Sequence, residues 1–447
     1  MELSELLGRR FDCQCGRTHA VPVRRFVYEP GAVEGLPEVV RQCAAPSQVR
    51  RVVVVGDART WNVCGIAARS ALKRSAVSVD EVLVPDSATG GPVCDEATFN
   101  MVSGELRAAD PDMVVAVGSG VINDLCKWSA FELDRPYLVV ATAASMNGYA
   151  AANVAAKVAG VKVLVEARPP LAVLAEPAVI EQAPREMTAA GFGDTIAKYQ
   201  SNADWVMNNL LFDEYYCDFC AGIISTLEPL YLRRPEDLRD GASGAVKGLF
   251  EALFFSGIAM TLVGTSAPAS GGEHLLSHTL DMMADVQGQR HDLHGRQVGL
   301  GTILSAALYE RILAMERPVF AEVPRAVDRD FWAVPAVVEA VAKQYEAKRA
   351  HLEQARRRIA EQKTWEQLRV RLAAQVKPAE RIRNWLRQAG GATSFAHVGC
   401  SRQRLRAAIM HMHEIRRRFT VVDLAWLVGV LPGAVDDLID EWLTDSR

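Results

Sequence analysis

The hydrophobic pattern changes texture once along the chain. In the first part, short β-branched runs end at turn residues: RVVVVGD at 51–57, DMVVAVGSG at 112–120 and RPYLVVAT at 135–142. Their length and valine content are those of strands buried on both faces. Between them, 61–74 and 121–131 read as helices. Strand alternating with helix predicts a parallel sheet covered on both sides, and such sheets bind ligands at the carboxyl ends of their strands. The loops after 55, 117 and 140 are therefore where a ligand is expected. After residue 187 the strand-like runs stop, and segments rich in Ala, Leu, Glu, Arg and Gln take over, most plainly 336–375. That stretch predicts one long charged helix, either an interface or a solvated arm. Thr420 and Asp423 ahead of LAWLVGVL have the form of a capping box, with Pro432-Gly433 ending the helix. Between the two textures, Pro169, Pro170, Pro177 and Pro184 break up any regular element. The expected domains are an α/β parallel-sheet domain over 1–178 and an all-α domain over 179–447.

Length and composition agree with two folded domains. The chain has 447 residues, 49% hydrophobic and 23% charged, too many for a single core and too apolar for disorder. The formal charge of −4, with Lys and Arg scattered, shows no electrostatic footprint for nucleic acid. The start, MELSELLGRRFDCQCG, lacks the basic and apolar regions of a secretion signal, and no run approaches the length of a membrane helix. A cytoplasmic protein without membrane insertion is expected. Nine dispersed cysteines fit reduced thiols better than a disulfide framework.

Two loops at strand ends suggest a shared anionic ligand. GSGVINDLCKW at 118–128 follows a strand and opens a helix. Gly118 and Gly120 would let the backbone approach a pyrophosphate, while the N–H groups of the helix start favour negative charge. Asn123 stands where the usual dinucleotide fingerprint has its third glycine, so the motif alone equally fits a plain strand-to-helix turn. ATAASMNGY at 141–149 follows the next strand and offers Thr142, Ser145 and Asn147 without bulk. Asp57 could accept from a ribose hydroxyl, or serve only as a turn residue; Arg59 leaves room for a 2′-phosphate.

The helical half carries a different chemistry in GFGDTIAK at 191–198, SGGEHLLSH at 270–278 and HDLHGRQVGLG at 291–301. Four histidines fall within 21 positions, and His274 and His278 share a helix face. A catalytic metal takes three ligands from His and carboxylate and keeps a fourth position open. An Asp from a glycine-flanked helix start plus two histidines meets that need. Taken singly, each piece has a bland explanation: Asp194 and Lys198 as a solvated i,i+4 pair, a histidine as core. Together, glycines at 271, 272, 295 and 299 are hard to explain as helix surface, because glycine weakens helices.

These motifs, in order over residues 50–305, resemble those of the sn-glycerol-1-phosphate dehydrogenases, within the iron-containing alcohol dehydrogenase and dehydroquinate synthase superfamily. The resemblance implies a Rossmann-like first domain, a helical second domain and an active site in the cleft between them. It implies cofactor contacts at Gly120, Val121, Ile122, Asn123 and Asp124, at Thr142 and Ser145, and at Ala151, where a Ser is common. Asp194, His274 and His294 are implied as ligands of one divalent metal, zinc first with nickel or iron as alternatives. Asp194 and His278 are implied to face substrate and act in catalysis. The reaction implied is hydride transfer from NAD or NADP at a metal-bound carbonyl, interconverting dihydroxyacetone phosphate and sn-glycerol 1-phosphate. Lys162 and Lys198 are candidates for the substrate phosphate. Family members usually carry an Asp where this chain has Asn147, a substrate-contacting position, and an amide cannot act as a base, so a different small polyol or sugar phosphate is the alternative substrate. A homodimer is the default expectation.

Two alternatives stay open. A sugar phosphate cyclase on the same scaffold would consume no net cofactor, and typically has Glu where this chain has Asp194. A nucleotide-binding module that lost its chemistry would not retain all three metal ligands. Two cysteine motifs lie outside this scheme. CQCGRTH offers Cys13, Cys15 and His19 as metal ligands lacking an identified fourth, with a plain hairpin as the alternative. Cys217 and Cys220 lack a thioredoxin-like context and are expected to pack as small apolar residues.

Overall fold

The computed structural model describes residues 3–75, 77–88, 90–158 and 161–445. The chain forms two compact units, 1–191 with 222–265, and 192–221 with 266–447. The first is built on a six-stranded parallel sheet: β1 (Arg25–Tyr28), β2 (Arg51–Asp57), β3 (Ser78–Val84), β4 (Met113–Gly118), β5 (Tyr137–Ala141) and β6 (Ala172–Ala175). Their order across the sheet is β1-β6-β5-β4-β2-β3, every neighbour parallel. The three Val-rich runs are its centre, and Val52, Val54, Val115, Val117, Leu138 and Val140 share one core cluster. Succession reverses between β2 and β4, so their carboxyl ends flank the switch point at which parallel sheets bind ligands.

Three strands lack that signature. β3, SVDEVLV, is an edge strand with exposed alternate positions, and β1 is an edge strand of four residues. β6 lies inside the proline-rich stretch 169–187, which was expected to hold no regular element and instead supplies a fully buried inner strand and the helix Pro177–Gln182. Its flanking prolines lie outside the ladder, where a missing N–H does no harm. A hairpin of Asn153–Val158 and Val161–Glu166 also belongs to this unit.

The helical texture after 187 is correct, since among the described residues no strand follows Ala175. Its assignment to a separate contiguous domain is not, because 222–265 return to the sheet unit. This excursion contains the helix Ser243–Val263, long and apolar enough to cross a membrane, contrary to the sequence expectation. It is a core helix: 83% of its most apolar window is buried. Phe254 packs on Phe26 of β1 with ring centres 4.4 Å apart, and Thr261 Oγ1 donates to Ala150 O at 2.8 Å.

The second unit is all helix. The stretch 336–375 is two helices, Pro335–Ile359 and Gln362–Ala373, rather than one. They are not a solvated arm. Trp365, Leu368 and Leu372 are buried, and Gln354 and Arg358 donate to Leu211 O and Leu210 O at the end of the helix Lys198–Phe212. The expected cap at Thr420 is present: Asp423 Oδ2 accepts from Thr420 N at 2.8 Å, and Asp423 Oδ1 meets the buried Lys348 Nζ at 2.6 Å. That helix ends at Leu427, before Pro432.

Candidate active site

In the sheet unit, β4 runs through Ser119 into the helix Gly120–Glu132. The two glycines of this loop do different things. A Cβ at Gly118 would lie 2.7 Å from Ile122 Cβ, so glycine there permits strand and helix to pack. A Cβ at Gly120 would meet nothing within 4 Å, so the space beside the first residue of the helix is open. Unpaired N–H groups facing an open space form a cradle for a phosphate, and the helix dipole adds to it. Asn123 is fully buried with its Oδ1 lacking a hydrogen-bond partner.

The neighbouring residues mostly hold the loops. Asp124 Oδ1 accepts from Asn123 Nδ2 and Lys127 Nζ, and Oδ2 from Ala155 N at 3.3 Å. Lys127, wholly buried, also donates to Gly148 O at 2.7 Å and Asn153 O at 3.0 Å; burial lowers its pKa, against the pull of Asp124. Tyr149, which sequence reasoning passed over, donates to Ala143 O at 2.7 Å and braces the second loop from within. Burial raises its pKa. Its signal was an aromatic directly after a small-residue loop.

Thr142 is buried and Ser145 half-buried, while Ala151 is packed inside at 1% exposure. Asn147 directly precedes the short turn Gly148–Ala150, which rests against Gly257 of the core helix. Asp57 is a helix cap: Oδ1 accepts from Arg59 N at 2.7 Å and Thr60 N at 3.1 Å. Both bonds fall on one oxygen. Arg59 meanwhile pairs with Asp86 at 2.6 Å. Lys162 stands opposite Lys157 on the hairpin.

In the helical unit, Asp194, His274 and His294 come together, their ligand atoms within 4.8 Å of one another. Asp194 Oδ1 lies 3.3 Å from His274 Nε2 and both residues are buried, so Asp194 is not half of a solvated pair with Lys198. The helices carrying them approach through glycines. A Cβ at Gly193 would stand 2.2 Å from Gly295 O, and one at Gly301 would stand 2.0 Å from Glu273 O.

Each imidazole is fixed from behind. His274 Nδ1 lies 2.8 Å from Glu273 Oε1, a carboxylate that also accepts from Gly271 N, so Nδ1 carries the proton and Nε2 the lone pair. Ser277 Oγ donates to Gln297 Oε1 at 2.9 Å, which leaves it to accept from His294 Nδ1 at 2.9 Å. His294 Nε2 is then also a lone-pair donor. Carboxylate or hydroxyl behind a ligating histidine is the usual arrangement in metal sites, and one oxygen with two borderline nitrogens suits a divalent ion. Burial disfavours a charged His274, but the carboxylates of Asp194 and Glu273 beside it outweigh that and raise its pKa. A cation is favoured here in either form.

Beneath lies a buried polar layer that the sequence did not reveal. Asp204 accepts from Gly272 N, Val421 N and Tyr309 Oη; burial and then the charge of Glu273 push its pKa up to about 8. Arg416 Nη1 donates to Ser270 Oγ at 2.8 Å.

His278 sits one turn from His274, ring centres 6.0 Å apart and 5.5 Å from His294. His291 is not part of the metal set: Asp281 and Asp285 clasp it at 3.2 and 2.9 Å and push its pKa up to about 9. Lys198 is buried at 6% exposure, with burial and then the charge of Lys377 pushing its pKa down to about 7. Both ammonium groups stand 5.1 Å from the Tyr199 ring centre. Lys377 had no motif to mark it.

Residues 27–184 match the iron-containing alcohol dehydrogenase family. Glycerol-1-phosphate dehydrogenase (NAD(P)+) of Geobacillus stearothermophilus is 29% identical over 428 residues, 94% of this chain and 96% of that protein. The protein of the same name from Geobacillus thermodenitrificans is 31% identical over 330 residues, 74% of this chain and 80% of its own. The chain belongs to the glycerol-1-phosphate dehydrogenase family of iron-containing alcohol dehydrogenases. It is thus a dehydrogenase by family, and its relatives' names specify NAD(P)+. The fold of this glycerol-1-phosphate dehydrogenase family member is similar to that of glycerol dehydrogenase from Schizosaccharomyces pombe, with a TM-score of 0.60 at 14% identity, covering 94% of this chain and 91% of that one.

Proposed function

We propose that the protein is an NAD(P)-dependent, metal-dependent dehydrogenase that interconverts dihydroxyacetone phosphate and sn-glycerol 1-phosphate. The observation that carries this reading is the convergence of Asp194, His274 and His294, with Glu273 and Ser277 holding both imidazoles as lone-pair donors. These three side chains would hold a divalent metal, which when bound supplies Lewis-acid polarisation of a carbonyl; NAD(P)H supplies the hydride.

The chain's own groups do the rest. The open N-terminus at Gly120 takes the cofactor pyrophosphate, and Thr142 and Ser145 donate to the same ligand. His278, with its ring 6.0 Å from His274 and 5.5 Å from His294, passes a proton to or from the substrate hydroxyl. The buried Lys198 and the half-buried Lys377 flank one tyrosine ring, and a phosphate dianion between them would favour the charged form of Lys198. Asn147 meets a substrate hydroxyl as an amide rather than a carboxylate.

The test is oxidation of NADH or NADPH by zinc- or nickel-loaded protein with dihydroxyacetone phosphate, beside Asp194→Ala. Net cofactor consumption abolished in the variant supports the reading and excludes a cyclase, which consumes none. Absence of turnover in metal-replete, cofactor-binding protein overturns this substrate, and Asn147→Asp becomes the first reversion to assay.

A further inference from the structure

The CQCGRTH motif takes no part in the proposed reaction, and its geometry is specific. It forms the turn of a hairpin in which Arg10–Asp12 pairs antiparallel with Thr18–Ala20, placing His19 opposite Phe11. Gly16, at φ +82°, lets the turn close, with Gly16 N donating to Cys13 O at 3.0 Å and Cys13 N to Arg17 O at 2.9 Å. Two strands of three residues are far too short to hold themselves together in water.

The side chains converge. The Cys13 and Cys15 sulfurs and a His19 ring nitrogen lie within 4.8 Å of one another. His19 is 2% exposed and its Nδ1 lies 3.0 Å from Leu262 O in the core helix. A carbonyl only accepts, so Nδ1 carries the proton and Nε2 keeps the lone pair. Nε2 points at Cys15 Sγ, 3.4 Å away. Tetrahedral zinc, with Zn–S about 2.3 Å and Zn–N about 2.0 Å, separates sulfur and nitrogen by roughly 3.5 Å. The backbone carbonyl behind His19 is the support that ligating histidines use.

We propose that the N-terminal hairpin is a second metal site, in which Cys13, Cys15 and His19 bind a structural zinc ion with one further ligand from outside the hairpin. Binding releases the two thiol protons and forms two Zn–S bonds and one Zn–N bond without any redox change. The ion clamps the hairpin and, through the His19–Leu262 bond, fastens it to the core helix. This site is independent of the Asp194 set and of the proposed substrate.

The test is zinc content per chain of the full-length protein, compared among wild type, Asp194→Ala, and Cys13→Ser with Cys15→Ser. Loss of one metal equivalent in each variant, and of both when they are combined, is the expected result. Cobalt substitution gives a readout that does not depend on a variant folding. Thiolate-to-cobalt charge-transfer absorption should appear in cobalt-loaded wild type and persist in Asp194→Ala, whose remaining site contains sulfur. Equal zinc content in wild type and the cysteine variant, or no thiolate-to-cobalt absorption in the wild type, overturns the proposal.

Discussion

Gly118 and Gly120 look alike in the sequence and are opposite in the structure. Alanine at 118 would push into Ile122, whereas alanine at 120 enters open space. Gly118→Ala should lower the unfolding temperature, by an overpacking cost of about 1–3 kcal/mol. Gly120→Val should leave thermal stability nearly unchanged and weaken NAD(P)H binding at least tenfold by titration. Equal cofactor affinity in Gly120→Val would remove the phosphate cradle from the account. Lys198 gives a second residue-level expectation. A lysine is charged only below its pKa, here about 7, so kcat/KM for a phosphorylated substrate should fall as pH rises through neutrality. Lys198→Met should abolish that fall and lower the plateau by roughly 10- to 100-fold. The same variant should barely alter turnover of an unphosphorylated ketone, and an equal loss on both substrates would argue against phosphate binding. The motif around Lys198 was visible in the sequence; Lys377 was not, because only folding brings residues so far apart in the chain to one tyrosine.

At the scale of elements, legibility followed burial. β2, β4 and β5 are covered on both faces and therefore read as unbroken valine runs. β3 is exposed on alternate positions, and β1 and β6 span four residues each, too few for periodicity to register. The candidate metal ligands Asp194, His274 and His294 were legible because they sit in spaced motifs. Ser277 lies within one of those motifs, yet its partners His294 and Gln297 depend on how two helices meet, which no spacing reports. That meeting is set by Gly301, whose missing side chain admits the carbonyl of Glu273 from the facing helix. Gly301→Ala should separate the helices Gly272–Gln287 and His294–Leu313, lowering both the unfolding temperature and the zinc retained after dialysis. Unchanged metal content would show that the pair of helices tolerates separation.

For the whole molecule, the sequence divides the chain once, near residue 179, whereas 222–265 group with the sheet unit. A change of texture near 187 marks where strands end, but the sheet recruits a helix from sixty residues further on, and an apolar helix carries no label saying which core it fills. A fragment ending at 191 lacks the surface that Phe26 and the 147–150 turn require. Expressed alone, it should aggregate or fail to bind NADH. Joined to 222–265 by a flexible Gly-Ser linker, it should recover soluble, cofactor-binding behaviour, and failure of both would mean the sheet needs more than this helix.

The fit between the turn at Ala150 and the bare Cα of Gly257 also has a meaning for descent. Parental segments cannot be exchanged freely at the place where the strands stop, because a crossover there separates a turn from the helix shaped to receive it. Among chimaeras of this chain with a related one, survivors should inherit 147–150 and 254–261 from the same parent. Two stretches a hundred residues apart are in that respect a single heritable unit.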